Sequence, residues 1–293
     1  MSYDVTVVGP PCLDLRFRGV PHLPAIGEEV LCESLEMGPG GAAISAIMLA
    51  RLGLRVAVSW PVGGDPPGSL LARALADEGV DWIGPACEAT SVTAAMALAG
   101  ERAMVTHAAP GSTQPPPPAR AQIVRLGDPI AGPAGRRYVV TDELASQRFA
   151  SAALPDLSRC EALFVNEREA RGLTGRADAL EAAEALTTGT GVATAIVTLG
   201  PRGAVAAAAG APTATQVDAI PAVAVDTTGA GDTFTGAYVW ADLNGWDMHE
   251  RLTFACVAAA LSVQCAAGVP GVPSRARLLA TASRYVTRAA ELT

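Results

Sequence analysis

The chain has 293 residues, half of them apolar, and a formal net charge of −8. That length suits one large α/β domain with a small appendage, and the acidic balance excludes the basic footprint of a nucleic-acid binder and attraction to an anionic membrane. No basic leader runs into a long apolar stretch, no segment is apolar enough to span a bilayer, and six scattered Cys without a CxxC pair read as reduced thiols, so a cytoplasmic location is expected.

In chain order, Tyr3–Gly9 (YDVTVVG) is β-rich and ends at Gly-Pro-Pro, which predicts a buried first strand. Gly40–Gly53 is apolar nearly all round and closes on Arg-Leu-Gly, the pattern of a buried helix with a glycine stop. RVAVSWPVG then reads as a strand and SLLARALADEGV as an amphipathic helix. EALFVNE is a strand, ALEAAEALTTGTG a helix and ATAIVTLG a strand, and GAYVWADLNG and ERLTFACVAAALSVQCA are helices. This alternation predicts a mainly parallel sheet covered by helices. Two segments, 12–36 and 89–107, break the rhythm with short β-like runs. They are expected either to pair into a small antiparallel sheet projecting from a core of 1–11, 37–88 and 108–293, or to form hairpins on that core. Residues 109–135 hold seven of the 22 prolines and read as a loop broken by one short element, AQIVRL. No internal repeat is present. His22, His107 and His249 lie far apart with no HExxH, so no zinc or redox-metal site is expected.

The stretch VDTTGAGDTFTGAYVW, Val225 to Trp240, carries the chemistry. A helix starting near Ala230 leaves the N–H groups of Gly229, Ala230 and Gly231 as an anion hole at its positive end. Asp232, in the first turn, is placed to accept a proton from an attacking hydroxyl, which points to phosphoryl transfer to an alcohol. Taken alone, the motif is also compatible with a plain glycine turn in which Asp232 favours a helix start. It is neither a Walker A loop nor a GxGxxG dinucleotide turn.

VDTTGAGDTFTGAY resembles the C-terminal signature of the ribokinase-like carbohydrate kinases, the PfkB family. GPGGAAISAIMLARLG with VSWPVGGDPPG resembles the family's N-terminal region, FVNEREARGLTG its Asn-x-x-Glu segment, and IVTLGPRGA its nucleotide-side turn. The matches follow the family's order over most of the chain. The resemblance implies a three-layer α/β/α fold with a mainly parallel sheet, the two β-like insertions being a lid that covers the sugar and often builds a dimer contact. It implies Asp232 as catalytic base and Gly229, Ala230 and Gly231 as anion hole. Asn166 and Glu169 would organise Mg²⁺ and phosphate through water. Thr198, Gly200, Gly203 and the position of Cys256 would contact ATP. Asp14, Gly40 and Gly41 would hold the sugar. Asp226, with the loop from Ala267 to Val272, would hold a monovalent cation such as K⁺.

Three departures stand out. Where the family has an Asn that reads the sugar, this chain has Ser45, or Ile44 in a shifted alignment; Ser45 is the expected substrate contact. The family's Asn near the nucleotide base is Cys256. One strand–helix unit between THAAPGS and CEALFVNE looks missing, with YVVTDELA supplying the strand before Asn166 and Asp142 or Glu143 at its end. The expected activity is ATP-dependent phosphorylation of a free sugar or sugar acid. Alternatives are a nucleoside kinase using Phe17, Met104 or Trp60 against the base, a phosphosugar kinase using Arg16, Arg18 or Arg102, or a homologue that binds ligand with little turnover.

Overall fold

Val-rich runs bounded by Gly and Pro form buried strands because their side chains find apolar cover on both faces. The computed structural model describes residues 2–98, 101–111, 114–128, 134–211, 213–265 and 268–292. Its first part holds β1 (Tyr3–Val8), β2 (Pro11–Arg18), β3 (Ser34–Gly41), α1 (Ala42–Arg51), β4 (Val56–Ser59), β5 (Val62–Gly63), α2 (Pro66–Asp77), β6 (Val80–Ile83), β7 (Ala86–Cys87), β8 (Ser91–Leu98) and β9 (Glu101–His107). Its second part holds β10 (Ala119–Arg125), β11 (Ala134–Val140), α3 (Glu143–Phe149), β12 (Ala162–Asn166), α4 (Glu167–Thr174), α5 (Ala179–Thr190), β13 (Thr194–Thr198), β14 (Ala204–Ala208), β15 (Thr215–Val217), α6 (Ala230–Leu243), α7 (Met248–Ser262), α8 (Arg275–Ala282) and α9 (Thr287–Ala290).

The main sheet has the order β15-β14-β13-β12-β11-β10-β1-β4-β6. Neighbours from β13 to β6 pair in parallel, and β14 and β15 close one edge antiparallel. Alternate strand residues feed two apolar clusters. Val7, Ile123, Tyr138, Phe164 and Ile196 join α1, α6 and α7 in one; Val124, Val139, Leu163, Val165 and Val197 join α4 and α5 in the other. The three-layer α/β arrangement is therefore present. The sheet grows from β1 in both directions, so the connectivity reverses between β1 and β10. In open α/β sheets such a switch point, at the carboxyl ends of the strands, is where ligands bind.

A second sheet has the order β3-β2-β8-β9. It departs from the expected all-antiparallel pattern, because β2 pairs with β8 in parallel while β2–β3 and β8–β9 are antiparallel. The proline-rich stretch also differs from expectation. Its short element is β10, a full strand seated between β1 and β11. The four prolines Pro115–Pro118 stop where the ladder begins, and the Pro118 carbonyl accepts the Tyr3 N–H at 3.2 Å. The strand of the missing unit is thus retained. Only residues 126–133 separate β10 from β11, fewer than a helical crossover between parallel strands takes.

At the far end of α6, Asp242 is 4% exposed and pairs with Arg136 at 2.9 Å and Arg251 at 2.7 Å, while accepting the Tyr138 hydroxyl. Burial and the Asp242 charge push the Tyr138 phenol well above its ordinary range. Removing one partner of a buried charge cluster strands the others. Asp242→Ala is expected to cost about 3 kcal/mol, read as a lower urea midpoint; an unchanged midpoint would show that the cluster contributes nothing.

Candidate active site

Side-chain caps close the N-termini of α2, α3, α4, α5, α7 and α8, from Asp65, Asp142, Asn166, Asp178, Asp247 and Ser274. α6 has none. Its N-cap is Gly229 in the left-handed region, φ 80°, and a side chain there would be strained. The helix starts at Ala230 and carries Asp232 in its first turn. Gly231 faces open space on the side where a Cβ would stand. The end of α6 therefore keeps its positive dipole uncovered by any protein cap, as an anion site requires. The Ala230 N–H is partly engaged, turning back to the Thr227 carbonyl at 3.3 Å.

Opposite stands one face of β2. Residues 12, 14, 16 and 18 alternate onto it. The Cys12 thiol donates to Asp14 Oδ1 at 3.1 Å, and the thiol is pushed well up by burial and by the Asp14 charge, with a further push from Asp232. Asp14 thus touches the thiol directly, while Asp232 acts on it through charge alone. Gly40 lets this happen: a Cβ there would lie 2.2 Å from Asp14 Oδ2. Gly41, at φ 57°, turns the chain from β3 into α1 against the Pro10 carbonyl.

Ser45 lies elsewhere than expected. It is 2% exposed within α1, and its hydroxyl donates to the main-chain oxygen of Asp232 at 3.0 Å. It holds the first turn of α6 and is not open to a substrate in this structure. Ile44 is buried beside it and lies near Gly229. Cys256 is also buried, within the core of α7, and desolvation pushes its thiol to about 12.

Asn166 ends β12 beside Thr198 at the end of β13. Asn166 and Glu169 form a reciprocal capping box, each carboxamide or carboxylate oxygen accepting the other residue's N–H at 2.9 Å. Burial pushes the Glu169 carboxyl up to about 7, the charges of Asp142 and Glu143 adding to it. Among the described residues no cluster of three or more His, Cys, Asp or Glu could hold a metal alone. A buried carboxylate with acidic neighbours, its oxygen already accepting the Asn166 N–H, fits instead an ion that meets the protein through water. Beyond Thr198, Gly200 (φ 58°) is open, whereas Gly203 (φ 98°) lies against Val217 and Ala219. That segment, 216–221, lines a cavity of about 530 Å³ with His249, Thr253 and Tyr285.

Asp226 precedes the glycine turn. Its Oδ1 accepts the Thr228 N–H at 2.9 Å, and its Oδ2 lies 3.2 Å from Arg18 Nη2. The cation that it carries in this structure is thus Arg18 of the small sheet. Ala267, in the loop expected to share a K⁺ with it, lies outside the described residues, as does the side chain of Arg102.

The pfkB family carbohydrate kinase model matches residues 4–127 and 130–275. The chain belongs to the pfkB family of carbohydrate kinases. It is 28% identical to the ribokinase of Haemophilus influenzae, over 95% of this chain and 98% of that protein, and 28% identical to the ribokinase of Bacillus subtilis, over 93% and 97%. The structure of Arabidopsis thaliana ribokinase complexed with ribose and ATP superposes with a TM-score of 0.77 at 25% identity, covering 96% of this chain and 99% of that one. Membership makes this pfkB chain a phosphotransferase with an alcohol group as acceptor. No helix among the described residues is long and apolar enough to cross a membrane.

Two placements were not legible beforehand. Arg18 meets Asp226 across 208 positions of sequence, and Arg16, which the sequence leaves open as a phosphosugar contact or a solvated cation, is buried. The only signal was alternation with Asp14.

Two outcomes are expected here. Ser45→Ala loses one buried hydrogen bond, about 1 kcal/mol, and loosens the Asp232 turn; kcat should fall several-fold with KM for ATP unchanged, whereas a rise in acceptor KM alone would return Ser45 to the substrate. For Glu169, the folded pKa exceeds the unfolded value of 4.5. The group therefore costs nothing below the unfolded value, and stability is lost as pH rises from there through about 7, by at most about 3 kcal/mol. Glu169→Gln lacks that loss, so without Mg²⁺ its melting temperature should gain on the parent from pH 5 to pH 8. A constant difference between the two would contradict the shift.

Proposed function

We propose that the chain transfers the γ-phosphoryl of Mg-ATP to a hydroxyl of a sugar or sugar-like acceptor. The observation that carries the reading is Asp232 in the first turn of α6, at a helix end that starts from Gly229 in the left-handed region and has no side-chain cap. Asp14, Gly40 and Gly41 hold the acceptor. Asp232 accepts the proton of the attacking hydroxyl, and the uncapped end of α6 at Gly229, Ala230 and Gly231 faces the charge that develops on the transferred group. ATP enters from the other side of the crevice. Thr198, Gly200 and Gly203 meet its phosphates, and the cavity along 216–221 takes its base. Asn166 and Glu169 would hold Mg²⁺ through water, and the ion would supply charge neutralisation on the phosphates.

The small sheet is the lid. Residues 12–36 and 89–107 close over the acceptor and exclude water that would otherwise accept the phosphoryl group. The outer face of that sheet leaves Leu35, Met37 and Val105 half or more exposed, an apolar surface suited to a second copy of the chain in a lid-to-lid homodimer. Of the three residues expected to stack a nucleoside base, Phe17, Met104 and Trp60, Trp60 is buried under Gly111 and Arg125 and offers no slot, whereas Met104 is exposed; a sugar acceptor is the preferred reading and a nucleoside the alternative.

Asp232→Asn should reduce acceptor-dependent ADP release by about 100- to 10,000-fold while ATP still shifts the melting temperature. Undiminished turnover in this variant would remove Asp232 from the chemistry.

A further inference from the structure

Arg16 lies on the crevice face of β2, two positions beyond Asp14. The residue is 5% exposed, and its Nε and Nη1 are buried with no hydrogen-bond partner. Asp14 Oδ2 stands 3.7 Å from Nη1, close enough to share charge but too far for a hydrogen bond. The neighbours are chosen for closeness. A Cβ on Gly38, the residue paired with Asp14 on β3, would lie 2.9 Å from Nη2, and a Cβ on Gly268 would lie 2.7 Å from Nη1. On the other side β8 presents Ala95. Glycine and alanine leave room around a guanidinium that no protein acceptor fills. The next cation on the same face, Arg18, is already paired with Glu36 and Asp226.

A buried guanidinium is costly when its donors have no acceptor. At a substrate site, that missing acceptor is the natural complement of an anionic group, and Arg is the residue that binds carboxylate and phosphate best. Resting on the sugar-kinase reading above, we propose that Arg16 anchors an acidic substituent on the acceptor, a carboxylate or a phosphate, while Asp14 beside it takes neighbouring hydroxyls. The enzyme therefore selects anionic sugars over neutral ones. The acid enters with the lid open, and closure of β2 and β3 over it gives Nε and Nη1 their acceptor. The transferred phosphoryl goes to a hydroxyl near Asp232, remote from the acidic group, so the acid is a handle and is unchanged by the reaction.

The test compares matched acceptors with the full chain: gluconate against glucose for the carboxylate arm, fructose 6-phosphate against fructose for the phosphate arm, and a wider panel of sugar acids and sugar phosphates. Binding is read by thermal shift and calorimetry without ATP, and turnover by ADP release. The expected result is that acidic members bind and turn over better than their neutral partners. Arg16→Met should weaken the acidic members by about 10- to 100-fold and leave neutral sugars nearly unchanged, with Arg16→Lys intermediate. Whichever arm responds identifies the acid. Equal loss for acidic and neutral sugars, or a parent enzyme that prefers neutral sugars or binds no acid of the panel, overturns the proposal. Should Arg16→Met fail to fold, the parent's acid-versus-neutral ratio and the Lys variant still decide it. Acid binding that depends on Arg16 without any ADP release would uphold the anchor and reject the kinase reading.

Discussion

The contact between α1 and α6 fixes the relation between the two halves of the site. Gly236 of α6 has no side chain, and a Cβ there would lie 2.9 Å from Met48 and 3.1 Å from the Ser45 carbonyl. The helices therefore approach closely, and Ser45 adds a hydrogen bond to the main chain of Asp232. α1 is the direct continuation of Gly40 and Gly41, on which Asp14 lies. One helix pair thus ties the residue proposed to hold the acceptor to the residue proposed to activate it. Catalysis by proton transfer is sensitive to displacements of an ångström or less, so this packing matters more than its share of the core would indicate.

The charges follow from the same geometry. An acidic chain with net charge −8 gives an anionic acceptor little help from its overall field, so recognition has to be local. β2 supplies it by alternation. Cys12, Asp14, Arg16 and Arg18 share one face, and the glycines of β3 permit close approach. Arg18 is spent on Glu36 and on Asp226, just before the glycine turn that opens α6. That pair ties the small sheet to the loop before α6 and occupies the carboxylate that the family resemblance offers to a monovalent cation. Arg16 keeps its Nε and Nη1 without an acceptor.

Much of the fold was legible because the patterns that encode it are local. Apolar runs ended by Gly or Pro became strands, the Ala-rich segments became helices, and α6 begins at Ala230, where the glycine pattern placed it. β10 was harder, because prolines flank it on both sides and suppress the composition of a central strand, although none falls inside Ala119–Arg125. The site was legible in its residue types and less so in their contacts. A serine at the place where the family resemblance expects a substrate-reading Asn invites a substrate role, but only the packing of α1 on α6 reveals that its hydroxyl is turned to the Asp232 main chain. Asp226 and Arg18 are brought together by the fold alone. Burial of Arg16 depends on Gly38, Ala95 and Gly268 coming from three separate elements, which no periodicity announces.

The most direct test of the account is a crystal structure of the chain with a non-hydrolysable ATP analogue, Mg²⁺ and the tightest-binding acceptor. The account predicts one acceptor hydroxyl within about 2.6–3.2 Å of the Asp232 carboxylate, in line with the γ-phosphorus at the end of α6, with Asp14 on neighbouring hydroxyls under a closed small sheet. An acceptor bound with its hydroxyls away from Asp232, or a nucleotide whose phosphates lie far from Gly229–Gly231, would contradict it.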